Sequence, residues 1–281
     1  MITSMVIFGT IGIFVELMSL PSGIIACARG LTGALIICGV MALKGHKPDF
    51  SKIRSKLILL LVSGAAIGFN WILLFEAYRY TGIPVATVCY YTAPIIVTVL
   101  SPLVLKENLG VKQIVCVFLA LFGIVAVSGV LQGGASKLTG VLCGLGAAML
   151  YASVILMNKF MGAVPAYEKT AIQLGAASVT VLPYALITAG EISFNIKSVA
   201  LLLVVGIVHT GFAYMLYFES IKKLKSQTVA VLSYIDPAAA IILSALIFLQ
   251  LPTGYELVGV VLILGAAFLS EIKISAKIKR R

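Results

Sequence analysis

A few ionisable side chains in this 281-residue chain stand inside long apolar runs: Glu16, Arg29, His209 and Asp236. A charge at the centre of a membrane helix costs roughly 2.5–3.5 kcal/mol on insertion scales, so each must meet a partner or a water-filled cavity. The chemistry open to such a set is ion recognition and proton handling. Arg29 lies about six residues into its run, roughly 9 Å deep. A guanidinium grips a carboxylate through two parallel hydrogen bonds. Arg29 therefore either holds an acidic group of a substrate or pairs structurally with Glu16, which sits just before the short turn joining the first two runs. Asp236 is followed by Pro237, and that proline removes a backbone hydrogen bond and frees a carbonyl. Asp236 suits ammonium binding or a proton relay with His209 nearby. The alternative is a carboxylate that caps backbone groups beside a core histidine.

Aromatic and neutral polar side chains are the second resource. Trp71, Tyr91, Tyr214 and Tyr234 lie within apolar runs, as do Tyr90 and Tyr151, and Asn70 adds an amide beside Trp71. Rings around a polar position suit a cationic or aromatic ligand by stacking or cation–π attraction, although an aromatic stripe in a bundle also serves packing. Glu76 and Glu219 each precede a base by three residues, Arg79 and Lys222, a spacing that pairs side chains on a helix. They read as gates at opposite membrane faces or as interfacial anchors. The five cysteines fall in apolar runs without metal-ligand spacing, and no phosphate-binding loop or His-Glu-x-x-His motif occurs. No cofactor, no metal and no enzymatic chemistry are expected.

These residues must be positioned by membrane helices. Hydrophobic residues make up 61% of the chain and charged ones 11%, with a mean hydropathy of +1.13, which excludes an ordinary soluble domain. Breaks at charges, Gly and Pro predict ten spans, near 3–19, 23–43, 57–77, 84–105, 112–131, 138–159, 168–188, 198–218, 228–249 and 256–272. Of the 21 Lys and Arg, 17 then fall on the side of the termini and the even-numbered connections, and 3 (Arg79, Lys137, Lys197) on the other. By the positive-inside rule both termini are cytoplasmic, in the plasma membrane. The formal charge of +11 is thus a topology signal and lipid anchor, with no nucleic-acid partner.

Sliding the sequence by 143 residues sets 59–121 on 202–264 without a gap, with 18 identities in 63 pairs. They include Gly68/Gly211, Phe69/Phe212, Glu76/Glu219, Tyr91/Tyr234, Pro94/Pro237 and Ser101/Ser244. The fold class expected is an all-α integral membrane protein of ten helices in two five-helix repeats, 1–134 and 135–281. An odd number of spans per repeat inverts the second copy, an arrangement suited to alternating access around a midplane site. Asp236 and His209 replace Ala93 and Ala66 of the first repeat, so they break an otherwise shared scaffold.

Two five-helix repeats, Arg29-Gly30 early in the second span, Tyr-x-x-Pro at Tyr91–Pro94 and again at Tyr234–Pro237, and Lys106-Glu107-Asn108-Leu109 opening the fifth span together resemble the EamA family of the drug/metabolite transporter superfamily. The resemblance spans nearly the whole chain. It implies a secondary exporter or importer of a small polar metabolite such as an amino acid or amine, with protons as a possible coupling ion, working as monomer or homodimer in the lipid bilayer. A flippase or an intramembrane enzyme acting on lipid-linked substrates is the competing class. Gly9-Thr10-Ile11-Gly12 lacks the Trp-Gly of many relatives, and Gln250-Leu251-Pro252 stands where the second repeat is expected to carry an acid.

Overall fold

A computed structural model describes residues 1–18, 20–46, 48–106, 110–127, 137–189, 195–221 and 232–271, without the side chains of 218, 219, 221 and 271. All regular structure among them is helical. Six helices are long and apolar enough to cross a membrane, and four shorter apolar helical stretches accompany them: Ile2–Leu17, Val111–Val127, Ile235–Phe248 and Gly254–Ser270. Most of the expected spans coincide with these helices to within a few residues, and Glu107, Asn108 and Leu109 lie outside the described residues.

The differences from a row of simple spans are local and have identifiable causes. The expected 57–77 span is part of a longer helix, α4 (Phe50–Thr81), which follows α3 (Ser22–Leu43). Its start is moved outward by Asp49, whose carboxylate accepts the Lys52 N–H at 3.2 Å as an N-cap. Hydrogen bonding to Lys52 also holds the Asp49 carboxyl below the usual carboxylate range. The first span is two helices, α1 (Ile2–Gly9) and α2 (Ile11–Leu17), broken at Thr10. The fourth is α5 (Ile83–Tyr90) and α6 (Ala93–Leu105), broken at Tyr91–Thr92. Pro94 causes that break, because its ring opposes the carbonyl four residues back and it has no N–H to donate. After α7 (Val111–Val127), α8 (Leu138–Lys159) and α9 (Ala166–Thr188), the eighth span divides into three. α10 (Ile196–Val204) runs into a π-helical segment, Val205–Phe212, and then into α11 (Ala213–Ile221). α12 (Ile235–Phe248) begins just after a turn at Tyr234, with Pro237 in its first turn, and α13 (Gly254–Glu271) completes the fold.

Packing pairs α3 and α4 with α9, α4 with α8, α7 with α13, and α3 with the π-helical segment. Small residues permit the closest crossings. A methyl group on Gly64 would lie 2.6 Å from the Gln173 carbonyl oxygen, and one on Gly68 2.6 Å from Val181, so these two glycines form the α4–α9 seam. Gly206 of the π-helical segment meets the side chain of Thr32 on α3 in the same way. Buried amides lock the seams. Gln173 donates to Ser63 Oγ at 2.7 Å and to Asn158 Oδ1 at 3.0 Å, joining α9, α4 and α8. Overpacking a tight seam costs about 1–3 kcal/mol, so Gly206→Val should lower the detergent melting temperature and broaden the gel-filtration peak, whereas Gly39→Val, at a site open to the surroundings, should leave both unchanged.

Candidate functional site

The helix breaks carry the polar side chains of the interior. Thr10 stands in the first break, Tyr91 and Thr92 in the second, His209 and Thr210 in the π-helical segment, and Tyr234 and Asp236 where α12 starts. Arg29 reaches this group from the second turn of α3 and is 6% exposed. Its Nε donates to Thr210 Oγ1 at 3.0 Å, and its guanidinium carbon lies 4.3 Å from the centre of the Trp71 ring. The Thr210 hydroxyl donates in turn to the Val205 carbonyl at 3.2 Å, which turns a lone pair toward Arg29. Among the described residues, the four remaining guanidinium N–H groups donate to no protein acceptor.

The opposite charge comes from α12. The Asp236 carboxylate is half-buried and close enough to interact electrostatically with Arg29 on α3, Tyr78 on α4 and Tyr90 on α5. Tyr91 lies beside it, with its hydroxyl donating to the Ser233 carbonyl at 3.4 Å. That carbonyl is the one Pro237 deprives of its helical partner. Rings close the surroundings: Tyr90 stacks on Tyr151 at 5.2 Å between centroids, Tyr91 meets Tyr234 at 6.1 Å, and Phe8 meets Tyr214 at 5.4 Å.

His209 is 1% exposed and sits at the edge of this group. Its Nε2 lies 2.8 Å from Thr10 Oγ1, while the same hydroxyl donates to the Ile7 carbonyl at 2.7 Å. The imidazole and the Thr10 hydroxyl thus share one hydrogen bond whose direction follows the ring tautomer. Nδ1 is buried and has no hydrogen-bond partner among the described residues. Phe14 packs edge-on against the imidazole at 4.7 Å.

The structure therefore brings Arg29, Asp236, His209, Trp71, Tyr91, Tyr214 and Tyr234 into one neighbourhood. It does not bring Glu16 there. The expected Glu16–Arg29 pair is absent: Glu16 is exposed on α2, whereas Arg29 turns inward to Trp71 and Thr210. Closeness in sequence across a turn does not set which face of each helix a residue occupies. Asn70 also points elsewhere, donating to the Ala147 carbonyl at 2.5 Å and tying α4 to α8. Glu76 lies at one end of the bundle, where it accepts from Ser22 Oγ and pairs with Arg79 at 3.5 Å. The side chain of Glu219 lies outside the described residues. Gln250, in place of an acid, accepts the Ile83 N–H at 3.0 Å through its amide oxygen.

Sequence reasoning passed over Thr10, Tyr78 and Thr210, whose hydroxyls carry no distinctive spacing. It also passed over Glu168, which is 2% exposed and accepts from His46 Nε2 at 3.0 Å and from the Asp49 N–H at 3.1 Å. The acid at the third position after Pro165 reads as an ordinary helix-start residue, and its partners are more than a hundred residues away.

A membrane bundle whose helices break around a buried cation and a carboxylate has the build of a solute transporter. The chain belongs to the EamA-like transporter family, matched over residues 1–129 and 138–271. It is 28% identical to the uncharacterized transporter YxxF of Bacillus subtilis over 99% of this chain and 90% of that one. It is 26% identical to a probable amino-acid metabolite efflux pump of Salmonella typhimurium over 76% of each. A protein solved by crystallography shares the fold, with a TM-score of 0.68 at 17% identity over 95% of this chain and 94% of the other. The protein is thus an integral membrane transporter.

Trp71 is the single tryptophan and reports directly on this neighbourhood. Arg29→Gln should change its emission intensity and wavelength, because the cation over the indole is removed. Glu16→Gln should not. Identical spectra for Arg29→Gln and the unmodified chain would contradict the described stacking.

Proposed function

We propose that the protein is a secondary transporter of a small metabolite carrying a carboxylate and an ammonium, an amino acid being the simplest case. On this reading Arg29 holds the carboxylate and Asp236 the ammonium or a coupling proton. Two inverted five-helix repeats, 1–134 and 135–281, rock around them, and both termini are cytoplasmic. The observation that carries the substrate class is the pairing of a buried guanidinium, four N–H groups of which have no protein acceptor among the described residues, with a carboxylate from another helix inside one aromatic enclosure. A zwitterion fits both poles. The Salmonella typhimurium relative, a probable amino-acid metabolite efflux pump, points the same way.

Support for the repeat comes from backbone detail that side-chain composition does not dictate. Lys106 and Leu249 stand 143 residues apart, each directly after a helix, and each has a φ of 56°. They are the only non-glycine residues with positive φ among those described. Pro94 and Pro237, likewise 143 apart, follow equivalent interruptions at Tyr91 and Tyr234. A proline helix start and a left-handed stop at matched positions are what one structural unit used twice would leave, and they support the repeat.

Liposomes containing the purified chain, screened with labelled common amino acids and then with the decarboxylated amine and deaminated acid of any that move, test the reading. Flux is expected for the zwitterion, with both single-pole analogues at least tenfold slower. Turnover of a lipid-linked substrate without solute flux would overturn it. Arg29→Gln should weaken a carboxylated solute more than an amine, and Asp236→Asn should abolish transport or its pH dependence while the protein still inserts. Unchanged flux in Asp236→Asn rejects the role given to that residue. Reporter fusions at the two termini should both be active in the cytoplasm.

A further inference from the structure

At the Glu76 end of the bundle, a cleft of about 620 Å³ opens between α3, α4 and α9, lined by Met18, Leu20, Ser22, Glu76, Arg79 and Tyr184 among others. It holds one acid and one base, with side chains 24% and 38% exposed and 3.5 Å apart. Each is also engaged by the α2–α3 connection. Ser22 Oγ donates to Glu76 Oε1, and Arg79 Nη2 donates to the Leu20 carbonyl. The same two helices lead from the cleft to the interior site. Ser22 precedes Arg29 by two helical turns, about 10 Å along α3, and Glu76 follows Trp71 by about 7.5 Å along α4.

We infer that this cleft is a second, vestibular binding site for the transported zwitterion, and that filling it releases the α2–α3 connection. The inference rests on the substrate class proposed above. The ligand ammonium takes the place of the Ser22 hydroxyl at Glu76, and the ligand carboxylate takes the place of the Leu20 carbonyl at Arg79. Both exchanges replace a neutral partner by a charged one, which makes the stronger hydrogen bond. Both also detach the same short piece of chain, Leu20 to Ser22, from α4. Binding and unlatching are therefore one event, and occupying the vestibule speeds access to the interior site without being required for its equilibrium occupancy. A solute with a single pole breaks one tether and leaves the other closed. Neither Glu76 nor Arg79 touches Arg29 or Asp236, so the two sites can be emptied separately.

Equilibrium dialysis of the full chain in detergent against labelled common L-amino acids, with Trp71 fluorescence recorded in parallel, tests this. Two molecules per chain are expected for the transported amino acid, one of them changing Trp71 emission. The double variant Glu76→Gln/Arg79→Gln should bind one and keep the Trp71 response. Arg29→Gln should also bind one but lose that response. Ser22→Ala, which keeps both charges and removes a competing donor, should tighten the vestibular site severalfold. One molecule per chain in the unmodified protein, or unchanged affinity in Ser22→Ala, would overturn the vestibule and leave the interior site standing. No amino-acid binding in any form would instead overturn the proposed substrate class, and the vestibule with it.

Discussion

The guanidinium of Arg29 has to be held away from water, and much of the interior follows from that one requirement. Burying an ion carries a penalty of several kcal/mol even after relaxation. Against it, a cation–π contact contributes about 0.5–2 kcal/mol, and a hydrogen bond to a charged group about 1.5–3 kcal/mol. Trp71 and Thr210 therefore go only part of the way. The balance falls to the Asp236 carboxylate, which interacts electrostatically with Arg29 from α12. The π-helical segment is part of the same solution. Its wider turn places the Thr210 hydroxyl over the carbonyl five residues back, at Val205, so that the remaining lone pair faces the cation. Close approach of α3 at Thr32 and Gly206 then holds the cation and its acceptor in register.

Helices in a bilayer satisfy their own backbone, and a break exposes groups that only protein or enclosed water can satisfy. Four interruptions near one group of polar side chains are thus costly unless that region is polar by design. Two of them show how the cost is met. Thr10 covers the Ile7 carbonyl with its own hydroxyl, and Tyr91 reaches the Ser233 carbonyl that Pro237 leaves open. Among the described residues, His209 Nδ1 is buried without a hydrogen-bond partner.

How far the chain could be read without coordinates depended on whether a signal was local. Membrane spans and the backbone bond lost at Pro237 are properties of short segments, and the sequence displayed them, whereas the break before Pro94 was passed over in a span read as continuous. Asp236 and Arg29 were conspicuous because a charge in an apolar run has no bland explanation. The failures share a cause. Pairing Glu16 with Arg29 assumed that neighbours across a turn face each other, but α2 presents Glu16 outward while α3 turns Arg29 inward. Asn70 looked like a ligand group beside Trp71, yet adjacent helix positions point about 100° apart, and Asn70 serves the α8 seam. Thr210 and Glu168 gain their meaning from residues 181 and more than 100 positions away, which no spacing rule reaches.

The placement of the two charges has a consequence for selectivity. Arg29 sits on α3 and Asp236 on α12, so the distance between them changes whenever those segments move relative to each other. With the site empty, separation leaves two desolvated charges, and Coulomb attraction in a low-dielectric interior resists it. A solute bearing both poles, the class proposed above, would bridge the pair and let the segments part while each charge keeps a partner. A solute with one pole satisfies one wall and leaves the other bare, at a cost of the order of a lost buried ionic contact, about 3–5 kcal/mol. That difference is paid in the moving state rather than in the resting one. On the proposed substrate class, discrimination between a zwitterion and its single-pole relatives belongs to the rate of movement more than to the affinity of the closed site.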